Sequence, residues 1–342
     1  MSLTRLPKFQ NLRVAVAGDL VADHYLNAEP RRLSREAPVM VLRYRSESVG
    51  AGGAANVARN LRGLEGQVSV FGLVGRDSYG RELTRTLEAE KIDLAGLQSE
   101  PGWCTPTKTR VLAAEARRFP QQVLRIDREP DEPAPRRCRE AVAKALMDQM
   151  EQLDALVVSD YEYGIVGDEL AEVARAFAGA GKTVVLDPRR RLAGFRGITA
   201  ITPNMGELAV LTGVPVEDLE DVTRLRKAAS ELLERVGSRY LLVTRGNMGM
   251  ALFGEDLDPK GLAVEASGQG EVTDVSGAGD SAASVFALAL AAGVSPAEAM
   301  QLANTASGVV VMENGTAVCT RIELEQALAA SPAPTLLQRP SF

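Results

Sequence analysis

This 342-residue chain has a single histidine, His24, and three cysteines, Cys104, Cys138 and Cys319. With His24 alone, Ser-His-Asp hydrolysis and multi-histidine metal chemistry are all but excluded. The cysteines are odd in number and widely spaced, so they indicate neither a disulfide framework nor a zinc site, and they fit a reduced compartment. No apolar run reaches the ~20 residues that cross a bilayer. Met1 to Gln10 lacks the apolar core and cleavage site of a signal peptide. A cytoplasmic protein without a membrane partner is expected. The net charge of −6 argues against a nucleic-acid partner held by bulk electrostatics, although it allows a local basic pocket. There is no Gly-x-x-x-x-Gly-Lys-Ser/Thr loop, so the chain is not a P-loop hydrolase. No Gly-x-Gly-x-x-Gly follows the first strand either, which counts against a dinucleotide oxidoreductase.

What is present is ordinary in bulk and ordered in pattern. Hydrophobic residues make up 45% and charged residues 25%, enough for a sizeable core in one large α/β domain or two smaller ones. Arg13 to Gly18 reads as a buried first strand, with Asp19 and Asp23 at its carboxyl end, where open α/β sheets bind ligands. Asp23 is the better functional candidate of the two. Further strand-like runs are Val68 to Val74, Ala155 to Ser159, Thr183 to Asp187, Thr199 to Thr202, Tyr240 to Thr244 and Met250 to Phe253. Helix-like segments lie between most of them, which predicts a parallel sheet covered on both faces. Val39 to Arg45, Lys108 to Leu112 and Gln121 to Asp127 alternate with the period of half-exposed strands. They predict a small separate sheet, built from insertions at about 24–48 and 105–128, that covers a site or a partner subunit. Residues 1–330 are expected to form a single domain, and the proline-rich 331–342 a loosely held tail.

The chemistry concentrates in glycine-rich turns that open helices. Asp274-Val275-Ser276-Gly277-Ala278-Gly279-Asp280 feeds a small-residue helix, whose first N–H groups and positive dipole end make an anion site. A carboxylate does not help to bind phosphate. Asp280 there reads either as a cap or as the acceptor of a hydroxyl proton. Gly50 to Leu61 opens a second such helix, with Asn56 on an otherwise apolar face, where a sugar hydroxyl could partner its amide. Asn204 and Glu207 read either as a capping box or as holders of a hydrated Mg²⁺ beside phosphates. Thr244, Arg245, Gly246 and Gly249 suit a nucleotide phosphate or, alternatively, a hairpin turn. Asp187-Pro188-Arg189 adds a cation at the same edge. Lys108 and Arg110 are the candidate cations for a sugar-phosphate pocket, or a solvated strand face.

In order and spacing these pieces resemble the ribokinase, or phosphofructokinase-B, family of sugar kinases over roughly Leu12 to Ala329. The resemblance rests on Gly52-Gly53-Ala54-Ala55-Asn56-Val57-Ala58 and on Asp274 to Asp280. Within the family, Arg35 to Val39, Thr107 to Leu112, Gln121 to Asp127, Ser159-Asp160-Tyr161, Asp187-Pro188 and Thr202-Pro203-Asn204 look like the heptose 7-phosphate kinases of lipopolysaccharide precursor synthesis. In their bifunctional form these are fused to a nucleotidyltransferase; a stand-alone kinase is expected here. Three features depart from that subgroup: Tyr163 and Arg189 stand where lysines are usual, and Ser276 and Ser281 where threonines are common. The resemblance implies an α/β ribokinase-like fold, three-layered and doubly wound, with a mainly parallel sheet and a β-sheet lid. It implies ATP and Mg²⁺ as cofactors and Asp280 as catalytic base, with Gly277, Ala278 and Gly279 as the anion hole. Asn204, Glu207, Thr244, Arg245, Gly246, Gly249 and Asn304 would line ATP, the first two reaching Mg²⁺ through water. Asp23, Gly52, Gly53 and Asn56 would hold the sugar, and Lys108 and Arg110 a phosphate already on it. Asp274 and Ser276 fall where some relatives bind a monovalent cation such as K⁺. The partners implied are a small sugar or sugar phosphate and a second copy of the chain through the lid. The remaining alternatives are a kinase of fructose 6-phosphate, ribose, a nucleoside or 2-keto-3-deoxygluconate, a non-catalytic sensor and, more distantly, an oxidoreductase.

Overall fold

In the structure, a computed structural model, the described residues are 6–114, 120–190, 192, 194–268, 274, 276–313 and 315–338. The chain begins with one long strand that serves two sheets. β1 (Arg13–Leu33) pairs in parallel with β3 (Gln67–Gly75) and β7 (Ala155–Ser159) through residues 13–19. Beyond that point it leaves the core and pairs with β2 (Met40–Gly53) and β5 (Thr107–Ala113) instead. The expected strand ended at Gly18; it runs 15 residues further because a new pair of neighbours replaces the old one. With β6 (Gln121–Arg128) beside β5, this extension forms the lid sheet predicted from the two insertions.

The core sheet continues through β4 (Asp93–Glu100) on one side of β3. On the other side of β7 come β8 (Thr183–Asp187), β9 (Ala200–Ile201), β10 (Tyr240–Thr244), β11 (Met250–Gly254), β12 (Leu262–Val264) and β13 (Thr335–Leu336). Pairing is parallel from β4 to β10 and antiparallel from β10 to β13. Helices cover both faces, as the alternating pattern requires. α1 (Ala54–Gly63), α2 (Ser78–Ala89), α7 (Ala278–Ala291), α8 (Pro296–Val310) and α9 (Arg321–Leu328) supply buried residues such as Leu61, Phe286 and Leu302 to one core. α3 (Arg136–Gln149), α4 (Asp168–Gly179), α5 (Met205–Thr212) and α6 (Val222–Val236) supply Leu146, Phe177 and Leu232 to the other. Within β1, Val14 and Val16 point to the first core and Ala15 and Ala17 to the second, so the strand is apolar at every position from 14 to 17.

The expected loose tail is docked as far as it is described. β13 pairs with β12, Leu337 is buried, and the Leu337 carbonyl accepts from Arg226. A buried leucine and an otherwise open strand edge outweigh the neighbouring prolines. Residues 339–342 lie outside the described residues. No helix among the described residues is long and apolar enough to cross a membrane.

Candidate active site

The N-terminal turns of two helices converge on one carboxylate. α7 starts after Gly277, whose φ of 80° lies in the left-handed region that glycine adopts freely. An added Cβ at Gly277 would come 2.6 Å from Asn56 Nδ2, so the position also excludes a side chain sterically. No side chain caps α7, leaving its first N–H groups unpaired within the helix. Asp280 is the third helical residue rather than the cap, and it is only 3% exposed. Asn56, in the first turn of α1, donates to Asp280 Oδ2 at 2.9 Å, and the Tyr161 hydroxyl donates to Oδ1 at 2.9 Å. Asn56 therefore meets the base candidate itself, where a sugar hydroxyl was expected. Its amide is fixed by Asn60, which donates to Asn56 Oδ1 at 3.3 Å and accepts from Ser281 Oγ at 2.8 Å.

Burial pushes the Asp280 carboxyl up to about 6, against the two hydrogen bonds and the Arg189 charge, which favour the ionised form; the Asp23 charge adds to the rise. Asp187, at the end of β8, is held well above the usual carboxylate range by burial and by the charges of Glu207 and Asp280. Its Oδ1 accepts from Thr202 Oγ1 at 3.0 Å.

A cavity of about 730 Å³ opens beside α7, with Ala278, Gly279, Asn204, Thr244, Arg245, Gly246, Gly249 and Asn304 among its walls. Seven of the expected nucleotide-side or anion-hole residues are thus brought together with Asn204, which caps the helix next to them. β10 and β11 form the hairpin that was the alternative reading of Thr244 to Gly249, and the turn of that hairpin is itself cavity wall. Desolvation lowers the Arg245 pKa. Asn304 donates to the Glu265 carbonyl at 2.9 Å.

Asn204 and Glu207 form the capping box outright. Asn204 Oδ1 accepts from Glu207 N at 2.9 Å, and Glu207 Oε2 accepts from Asn204 N at 2.8 Å. Arg189 donates to the remaining oxygen, Oε1, at 2.6 Å. Both oxygens of Glu207 are engaged, and among the described residues no group of three or more His, Cys, Asp or Glu could hold a metal ion. The pair would therefore reach a Mg²⁺ ion only through water, as expected, and no step below passes through that ion. Asp274 is similarly occupied: its carboxylate accepts from Ser276 N at 2.8 Å and Gly315 N at 3.0 Å. Residues 269–273, 275 and 314 around it, including Val275 of the motif, lie outside the described residues.

On the lid side, Asp23 and Arg110 were expected to hold the sugar and its phosphate separately. They pair with each other, 6% and 13% exposed at their side chains. The pairing follows from register: Tyr25 sits opposite Arg110 and Asp23 opposite Lys108, which places Asp23 diagonal to Arg110 on one face. Lys108 lies over the Tyr161 ring at 4.6 Å, its pKa lowered first by desolvation. Gly52 and Gly53 end β2 against this cluster. A Cβ at Gly52 would meet Asp23 Oδ2 at 2.3 Å and one at Gly53 the Asp19 carbonyl at 2.6 Å. A second cavity, of about 480 Å³, opens between lid and body, with Arg110, Tyr25, Gly50, Arg59 and Asp274 in its wall.

Three residues matter more than the sequence suggested. Tyr161 follows β7, and its N–H and those of Tyr163 and Ile165 all donate to Asp19, at 2.9, 3.1 and 3.1 Å. Asp19 is buried, and desolvation first and Asp160 second push its carboxyl up to about 6 despite those bonds. Arg189 lies over the Tyr161 ring at 4.3 Å. Tyr163, where a lysine is usual, donates to Glu129 at 3.1 Å.

This fold agrees with what known proteins show. The pattern of the pfkB family carbohydrate kinases matches residues 11–323, and the chain belongs to that family. It is by family a sugar kinase, a phosphotransferase. Among similar proteins, the "Bifunctional protein HldE" of Desulfatibacillum aliphaticivorans is 39% identical over 95% of this chain and 64% of its own length. The HldE protein of Mesorhizobium japonicum is 37% identical over 96% and 64%. The chain thus spans less than two thirds of these relatives. In structure it resembles phosphofructokinase-2 from Escherichia coli in complex with substrates and products, with TM-score 0.74, 20% identity and coverage of 93% of this chain and 99% of the other. Ribokinase from Arabidopsis thaliana complexed with ribose and ATP follows with TM-score 0.70, 22% identity and coverage of 93% and 98%. Both confirm the ribokinase-like α/β fold.

Proposed function

We propose that the protein transfers the γ-phosphate of ATP to a hydroxyl of a phosphorylated sugar, D-glycero-D-manno-heptose 7-phosphate at O1, with Asp280 as general base. The observation that carries this reading is the buried Asp280 carboxylate at the N-terminal turn of α7, next to a cavity walled by that same turn. The nucleotide would occupy the 730 Å³ cavity, held by Thr244, Arg245, Gly246, Gly249 and Asn304. Its γ-phosphate would accept from the N–H groups of Gly277, Ala278 and Gly279, whose helix dipole favours the anion. The sugar oxygen attacks phosphorus while its proton passes to Asp280. The bond to the bridging oxygen breaks and ADP leaves. A carboxyl near 6 is ionised at neutral pH yet basic enough to share that proton. Most of the rate gain in such a transfer comes from positioning and charge.

Arg110 and Arg59 in the wall of the lid cavity, with Lys108 two residues along the same strand over the Tyr161 ring, support a substrate that already carries phosphate. The kinship with the HldE proteins supports the heptose among such substrates. Asp23, Gly52 and Gly53 would meet the sugar ring, with Asp23 shared between Arg110 and a hydroxyl. A homodimer through the lid is supported by exposed Met40, Tyr44, Leu124 and Ile126.

The test is ATP consumption against heptose 7-phosphate, fructose 6-phosphate, ribose and 2-keto-3-deoxygluconate with Mg²⁺. Turnover confined to heptose 7-phosphate supports the reading. Turnover with another sugar keeps the kinase and refutes the heptose, and none with any refutes both.

A further inference from the structure

We infer that Tyr161 is a positioning residue for the base: its hydroxyl, donating to Asp280 Oδ1, keeps that carboxylate ionised and turned toward the acceptor hydroxyl. The inference rests on Asp280 acting as base, the reading proposed above. Its geometry is independent of that reading. Asp280 is buried and receives only two side-chain donors among the described contacts, Asn56 on Oδ2 and Tyr161 on Oδ1, both at 2.9 Å. Burial disfavours the charged form, and each donor opposes it. Asn56 lies on the helix that packs against α7 and is locked by Asn60. Tyr161 arrives from a different strand end and is locked at both ends. Its N–H is bound by Asp19, its ring lies under Lys108 and Arg189, and its Cδ2 sits where a Cβ at Gly53 would be 3.3 Å away.

The phenol itself does not exchange the proton. Burial and the negative charge of Asp280 hold its pKa well above the ordinary tyrosine value, so it stays a donor throughout. The other charges that face Asp280 are Asp23 from the lid end of β1, Asp187 from β8 and Arg189 just beyond it. Arg189 favours the carboxylate and Asp23 opposes it, and the two hydrogen bonds act on the side of Arg189. The lid enters through Lys108, whose ammonium 4.6 Å over the tyrosine ring draws electron density from the phenol and strengthens its O–H as a donor. This gives the chain a route from a lid residue to the base without direct contact.

The experiment titrates Asp280 directly, by the carboxyl carbon signal of ¹³C-aspartate-labelled protein, assigned with Asp280→Asn, in wild type and Tyr161→Phe. The phenylalanine keeps the ring beneath both cations and removes one donor to a charged group, which raises the carboxyl midpoint by about one unit or more. The acid limb of kcat moves up by the same amount, so turnover falls about fivefold at pH 6 and about twofold at pH 7. Incorporating 3-fluorotyrosine at position 161 makes a stronger donor without removing any packing, and it moves the midpoint downward. An unmoved carbon titration in both altered proteins overturns the inference, whatever happens to kcat. If the wild type turns over no sugar, the proposed function fails, and the carbon titration still decides the role of Tyr161.

Discussion

Replacing Asp280 by asparagine should make the protein more stable while disabling it. The carboxyl is pushed from 3.8 to about 6, a cost near two units or roughly 3 kcal/mol when ionised. The sign follows from proton counts. Between pH 3.8 and 6 the folded state holds a proton that the unfolded state has released. Stability from this group therefore falls as pH rises through that window and stays low above it. The substituted amide would remain neutral throughout. Its oxygen can accept from Asn56, and its nitrogen can donate to the Tyr161 oxygen, which a phenol permits by turning its hydrogen elsewhere. The gain should be absent below pH 4 and complete above pH 6. Scaled by the unfolding entropy of a chain this size, 3 kcal/mol corresponds to about 4 °C in melting temperature as an upper bound. Asp19 titrates over the same range but is present in both proteins, so it cancels in the difference. The assay is thermal melting of both proteins from pH 4 to 8, beside turnover at pH 7.5. Turnover should fall by ~10²-fold or more. A variant less stable than wild type at pH 7.5, or a difference independent of pH, would refute the argument that the fold holds this charge at a cost.

Lys108→Met should raise KM for a sugar phosphate by roughly tenfold or more and leave KM for ATP nearly unchanged, as expected for one charged hydrogen bond. Equal effects on phosphorylated and plain sugars would count against an anion role. Gly277→Ala places a Cβ 2.6 Å from Asn56 Nδ2 at a φ of 80° and should lower both melting temperature and kcat, by ~1–2 kcal/mol in stability. Normal kinetics in that variant would show that the turn tolerates a side chain. Ile126→Lys on the exposed lid face should convert a dimer to a monomer in sedimentation velocity, and a wild type already monomeric at micromolar concentration would refute the lid interface.

How much of this was legible depends on how far apart in sequence the partners lie. The turn from Ser276 to Asp280 and the capping box at Asn204 and Glu207 are local, so residue types at fixed spacing sufficed to find them. The lid strands were legible from alternating residue types, although β6 is exposed at every residue and so is not the half-buried strand expected. The length of β1 was not, since Asp23 to Arg32 is polar and only the exchange of neighbours makes it strand. β4 was missed for a similar reason: Gly96 and its half-exposed residues carry no apolar run. The state of each site residue was the least legible, because it is set by a residue from a distant strand end. Asn56 and Tyr161 lie 224 and 119 positions from Asp280, and Arg110 lies 87 from Asp23. Asp19 shows the limit most clearly. An aspartate ending the first strand suggested a ligand contact, yet its three acceptances are all of backbone N–H groups from 161 to 165. One buried charge therefore builds the loop that brings a tyrosine to another. A parallel sheet makes this arrangement available, because its strand ends lie side by side while their residues are far apart along the chain.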